Sequence, residues 1–168
     1  MGQAVIGLSK DNITAATAAP EFRLGTVGGY DDPTNGYQEF IYGRASGAVT
    51  GLGYACVESS GNIFQLITTT NTAAGQNGHG ARVGVAQAVM ATNQYGWFQT
   101  YGKASLRTLA SAAKGTRLNT TATAGAVDDD GTASSRAING MVLGTATGGA
   151  EATNADAYLS YPTVGATL

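Results

Sequence analysis

Residues 81–130 read ARVGVAQAVMATNQYGWFQTYGKASLRTLASAAKGTRLNTTATAGAVDDD. The stretch is a series of short runs in which apolar and polar residues alternate, the period of a β-strand, broken by small turn residues. In ARVGVAQ, Val83 and Val85 point inward. Ala91-Thr92-Asn93 then turns the chain, and QYGWFQTYG returns with Tyr95, Trp97, Gln99 and Tyr101 on one face. Trp97 is the natural anchor of the core, and Phe98 faces the other way. KASLRTLA fits either a strand or one short helical turn, because periodicity alone does not separate the two. Ala113-Lys114-Gly115 is a turn signal, TRLNTTATAGAV a Thr-rich strand, and Asp128-Asp129-Asp130-Gly131 a tight acidic turn.

The same pattern continues on both sides. YQEFIYGRAS places Tyr37, Glu39 and Ile41 on one face and Gln38, Phe40 and Tyr42 on the other, so aromatics on both faces predict a strand covered twice. GLGYACVE and IFQLITTT flank Ser59-Ser60-Gly61-Asn62 as a hairpin. INGMVLGTAT and DAYLSYPTV supply two more strands, the second predicted to finish at Pro162, which cannot donate to a ladder. About eight short strands at ~8–12-residue spacing predict a mainly β chain, a small β-barrel or β-sandwich, with residues 37–168 as a single domain. Residues 1–36 carry two of the three prolines and no sustained period, and read as an extended N-terminal arm. Its apolar pieces, with Val5, Ile6 and Leu8 in one and Phe22 and Leu24 in the other, are candidates to add strands to a partner's sheet edge.

Only 12% of the 168 residues are charged, while glycine alone contributes 25. Small polar and Ala-rich surfaces of this kind favour burial against neighbours in an assembly. The formal net charge is −2, and no stretch clusters three of the nine basic residues, so binding to a phosphate backbone is not expected. Cys56 is the single cysteine; it excludes an intrachain disulfide and a Cys-rich zinc site, and its apolar setting predicts a buried thiol. No run approaches the ~20 apolar residues that span a bilayer, and the first residues lack the pattern of a secretory leader; a soluble, untargeted chain is expected.

Reactive constellations are scarce. His79, alone in the Gly-rich loop TNTAAGQNGHG, has no second ligand or carboxylate nearby in sequence. Gly96 to Gly102-Lys103-Ala104 has the wrong spacing for a phosphate-binding loop and lacks its hydroxyl, and GTVGG lacks the strand and helix of a dinucleotide site. There is no Gly-x-Ser-x-Gly and no HExxH, and Asp128 to Asp130 lack the alternation and distal Glu of a calcium loop. Glu39, Glu58 and Asp31 could pair as carboxylates only if the fold brought them together. The expectation is a protein that is not an enzyme, with no cofactor, no metal and no small-molecule substrate.

The central block resembles the head-decoration, or cement, proteins of tailed bacteriophages. The resemblance lies in Val83-Gly84-Val85-Ala86-Gln87, in Tyr95-Gly96-Trp97-Phe98-Gln99-Thr100-Tyr101-Gly102-Lys103, and in Thr120-Thr121-Ala122-Thr123-Ala124-Gly125-Ala126-Val127-Asp128-Asp129. Phe22-Arg23-Leu24-Gly25-Thr26 and Leu159-Ser160-Tyr161-Pro162 are similar to further parts of that pattern. It implies a compact β-domain, a homotrimer, on the outer capsid surface of a virion assembled in the host cytoplasm, with the major capsid protein as partner. The N-terminal arm would then reach across the capsid, and Tyr95, Trp97, Phe98 and Tyr101 would serve the core or the trimer seam. The competing expectation is a carbohydrate- or receptor-binding β-module of a virion fibre or spike, using exposed Tyr and Trp to stack on sugar rings. A small hydrolase built on His79 stands third.

Overall fold

The structure, a computed structural model, describes residues 6–149 and 151–168. Its elements are β1 (Ile6–Gly7), α1 (Lys10–Thr14), β2 (Val27–Asp32), β3 (Gly36–Ala45), β4 (Tyr54–Ser60), β5 (Ile63–Leu66), β6 (Val83–Ala86), β7 (Tyr95–Thr108), β8 (Arg117–Thr120), β9 (Val127–Asp128), β10 (Arg136–Leu143) and β11 (Thr153–Thr167). The chain is mainly β, as the alternation predicts. All eleven strands join one sheet in the order β1-β2-β3-β5-β4-β6-β7-β11-β10-β8-β9, with further pairings of β3 and β9 to β7. This corrects the expectation of about eight strands in a barrel or sandwich: the sheet bends back on β7 without forming a closed barrel. The higher count arises because Gly and Thr turns cut the chain into strands as short as two residues.

β7 is the spine. QYGWFQTYG and KASLRTLA, which read as two segments, form one strand of 14 residues. Its first half pairs with β3 from Arg44↔Tyr95 to Glu39↔Tyr101, and also with β6; its second half pairs with β11 from Ser160↔Tyr101 to Thr153↔Thr108. Neighbours on both edges and layers on both faces explain the unbroken burial of Gly96 to Thr100. Trp97 (1% exposed) packs with Ile13, Phe40 and Tyr42 on one face. Phe98 (0%) packs on the other with Ile41, Cys56 and Met90, its ring stacked on Phe64 at 4.2 Å. The largest core lies along the second half of β7, where Leu106 meets Val83, Val85, Leu118, Ile138, Met141 and Leu159.

Two irregularities set the faces. At Gly102, φ is 90° and an added Cβ would stand 2.5 Å from the Tyr37 carbonyl oxygen, so only glycine fits. Next to it the β3–β7 register slips by one residue between Glu39↔Tyr101 and Phe40↔Gln99. A slip of one inverts the side-chain parity, and Tyr101 therefore leaves the Trp97 face on which alternation had put it. Buried amides take over the carbonyls freed by the bulge: Gln38 donates to Lys103 O at 2.6 Å, and Gln99 donates to Lys103 O and Tyr101 O. The second irregularity lies in β11. The strand does not finish at Pro162 but runs to Thr167, because the β10 register shifts between Asn139↔Thr163 and Met141↔Leu159. The proline sits in that bulge, where no ladder donor is required.

Residues 6–36 are folded against the body and do not extend as an arm. Ser9 caps α1 in a reciprocal box, its hydroxyl accepting from Asn12 N–H while Asn12 Oδ1 accepts from Ser9 N–H. The short helix buries Ile13. β1 runs parallel to β2 through Ile6↔Gly28, and β2 forms a hairpin with β3. No hydrophobic period marks this segment, since its order comes from caps, single contacts and edge pairing.

Candidate contact face and groove

The partner-binding residues read from the sequence turn inward. Ile6, Leu8, Phe22 and Leu24 pack, half-buried, around the Trp97 cluster. Phe22 lies 5.3 Å from both the Tyr42 and Trp97 rings. Val5 lies outside the described residues. Tyr95 is half-buried, stacked on Tyr42, and Trp97 and Phe98 are wholly internal. Of the four aromatics assigned to core or seam, Tyr101 alone is exposed, at 37%.

Tyr101 belongs to a larger surface that sequence reading missed. Of the eight large apolar side chains exposed among the described residues, Tyr37, Tyr101, Val142, Tyr158 and Tyr161 gather on one side. The cause is strand alternation. Ala104, Leu106, Met141, Leu143, Ala157 and Leu159 point into the core, so their strand neighbours Lys103, Val142, Tyr158 and Ser160 point out. Val142 and Lys103 flank Tyr158 on either side as cross-strand partners, and Ser160 faces Tyr101. Lys103 pairs with Asp156 at 3.0 Å, and that hydrogen bond raises the ammonium pKa. The signal was present in DAYLSYPTV, whose alternation marks Tyr158 as the outward neighbour of buried Ala157 and Leu159.

At one end of this face three tyrosines converge on Glu39. Tyr161 donates to Glu39 Oε2 at 2.7 Å and Tyr37 donates to Oε1 at 3.1 Å. The Tyr101 ring stacks on Tyr161 at 5.3 Å and lies 6.4 Å from Tyr37. Tyr161 holds φ at 49°, a region that bulky residues rarely occupy and that costs on the order of 1–3 kcal/mol. Its side chain is nevertheless 56% exposed. The hydrogen bond to Glu39, then desolvation, pushes its hydroxyl pKa up to about 12. Desolvation, then Glu39, raises that of Tyr37.

Tyr161 also forms one wall of a groove of about 1230 Å³. The opposite sides come from the segment Arg23 to Val27, the β4–β5 hairpin end and the loop from Gln76 to Arg82. Two of the three carboxylates considered from sequence meet here, Glu39 and Glu58, whereas Asp31 does not line it. Both are engaged. Glu58 accepts from Asn62 N–H at 2.8 Å and pairs with Arg82 at 3.5 Å, and Arg82 also donates to Asn62 Oδ1. His79 stands exposed on the loop side. Among the described residues no group of three or more His, Cys, Asp and Glu side chains converges as a metal site. The acidic turn is used structurally: Asp129 accepts from Ala113 N–H at 2.8 Å, and burial raises the Asp128 pKa. No protein-family model matches the chain, and no curated protein matches it in sequence.

Proposed function

We propose that this chain is a structural virion protein, a decoration or cement protein that binds the outer surface of a phage head as a homotrimer and ties major capsid subunits together. The observation that carries the reading is the exposed face of Tyr101, Val142 and Tyr158 on a sheet whose other side is a packed core. Tyrosine combines large contact area with few rotatable bonds, and it is enriched where proteins meet. The resemblance read in residues 83–87, 95–103 and 120–129 is in keeping with the same reading. A trimer would present three copies of the face, so that modest single contacts act at high effective concentration once the first has formed. In this reading the contact belongs to the β7–β11–β10 face, since the apolar side chains of residues 6–24 already pack on their own body.

The test is titration of the purified protein onto expanded, undecorated capsids. Saturable binding in multiples of three is expected, together with loss of binding in Tyr158→Glu and Val142→Glu. A protein that stays monomeric and leaves such capsids bare would refute the reading. For the fibre-module alternative, Trp97 is buried and could not stack on a sugar; only the tyrosines could.

A further inference from the structure

We infer that the groove beside Tyr161 is a binding site for a neutral oligosaccharide. The inference goes beyond the capsid reading and is tested apart from it: Tyr161 stands where one end of the tyrosine face meets the groove, whereas Val142 and Tyr158 do not line the groove.

Three observations carry it. First, the groove is larger than the ~300–1,000 Å³ typical of small-molecule pockets, and it is open, which suits an extended chain. Second, its lining is rich in hydroxyl and amide groups, among them Ser59, Ser60, Asn62, Asn77, Thr100 and Thr163, with one aromatic wall, Tyr161. Sugars offer the matching chemistry: hydroxyls around the ring edge and an apolar face of C–H groups that lies on an aromatic plane. Third, the charges of the lining are balanced. Two arginines, Arg23 and Arg82, stand against two carboxylates, Glu39 and Glu58, and Arg82 is paired with Glu58, so the formal charge of these four is zero and neither an anionic nor a cationic ligand is favoured.

Tyr161 is held for this use. One face of its ring is backed by Tyr101, its hydroxyl is fixed by Glu39, and its backbone keeps a φ of 49°. Rigid, half-exposed aromatic planes lose little freedom on binding. An extended peptide is the less fitting occupant. Strand addition needs an unpaired sheet edge: β2, β3 and β4, which border the groove, each have strand neighbours on two sides, and the edge strand β1, two residues long, contributes only Ile6 to the lining.

The experiment is calorimetry of the full chain, after screening on an array of neutral and acidic oligosaccharides of glucose, galactose, mannose and N-acetylglucosamine. The wild type is expected to bind neutral members. Tyr161→Gly removes the ring at a position whose φ glycine accepts readily, so the fold is kept, and binding should weaken by at least about tenfold. Tyr161→Phe keeps the ring and should weaken it less. The inference is overturned if no neutral oligosaccharide binds, if acidic ones alone bind, if Tyr161→Gly binds as the wild type does, or if Tyr161→Phe loses as much as Tyr161→Gly. Capsid-binding variants at Val142 and Tyr158 should leave oligosaccharide affinity unchanged.

Discussion

Tyr161 and Glu39, 122 positions apart in the chain, are joined by a 2.7 Å hydrogen bond from the phenol to one carboxylate oxygen, while Tyr37 occupies the other oxygen. A single side chain of β3 thereby fastens the bulge of β11 to the edge of the tyrosine face. The bond needs the phenol proton, which makes the link sensitive to base.

In the unfolded chain Tyr161 ionises near pH 10, and in the folded chain its pKa is pushed up to about 12. Between those values the folded state keeps a proton that the unfolded state has released. Stability from this link is therefore complete below about pH 10 and falls as pH rises toward about 12. Denaturant titrations across that window should show the decline, and Tyr161→Phe should make it shallower, the remainder belonging to Tyr37 and Lys103, whose pKa values are raised as well. An identical pH slope in the variant would refute the role given to this bond.

Gly102 is the second fixed point. Alanine there must hold φ near 90° and place its Cβ against the Tyr37 carbonyl, a backbone atom that has nowhere to move. We expect Gly102→Ala to lose about 2–4 kcal/mol, read by chemical denaturation. Gly36→Ala, also at positive φ but with open space around its Cβ, should lose only about 1 kcal/mol. Equal losses would show that torsion alone, without the clash, sets the penalty.

Alternation and turn chemistry made much of the β content legible: the β4–β5 hairpin, the β6–β7 return and the two strands β10 and β11 stand where their residues suggest, although β11 runs on past Pro162. What stayed hidden depends on contacts distant in sequence. The slip beside Gly102 moves Tyr101 to the opposite face from Trp97, and no local pattern announces it. Tyr37 and Glu39 do share a face, as their spacing requires, but Tyr161 reaches them only through a bulge whose sole local trace is the following proline. The segment before β2 was unreadable for another reason. Its order comes from the Ser9 cap, the pairing of β1 and a few ring contacts, none of which repeats with a period.

Cys56 is fully buried, and burial raises its thiol pKa, so the reactive thiolate is scarce in the folded state. A thiol reagent should label it only as fast as the core opens. The labelling rate should rise with denaturant in step with unfolding. Rapid labelling in native buffer would place the thiol at the surface and contradict its packing against Ile41, Phe64 and Phe98.

Phe22 decides whether the N-terminal segment belongs to the cooperative core or folds onto it as a separable layer. Its ring bridges Tyr42 and Trp97, and removing a half-buried ring of this size costs about 1–3 kcal/mol. The segment's other ties run to β2, β3 and the start of β7: Leu8 N–H donates to Gly29 O at 2.8 Å, Gly25 and Thr26 exchange two backbone hydrogen bonds of 2.8 Å with Tyr42, and Thr17 pairs with Tyr95 through two of 2.9 Å. β7, by contrast, is paired along both edges. In Phe22→Ala, hydrogen exchange should therefore quicken at Leu8 and Thr17 while the amides of β7 and β11 keep their protection. Quickening by the same factor throughout would mean that residues 6–26 unfold only with the whole sheet, and that no partner could gain their apolar side chains by peeling them away.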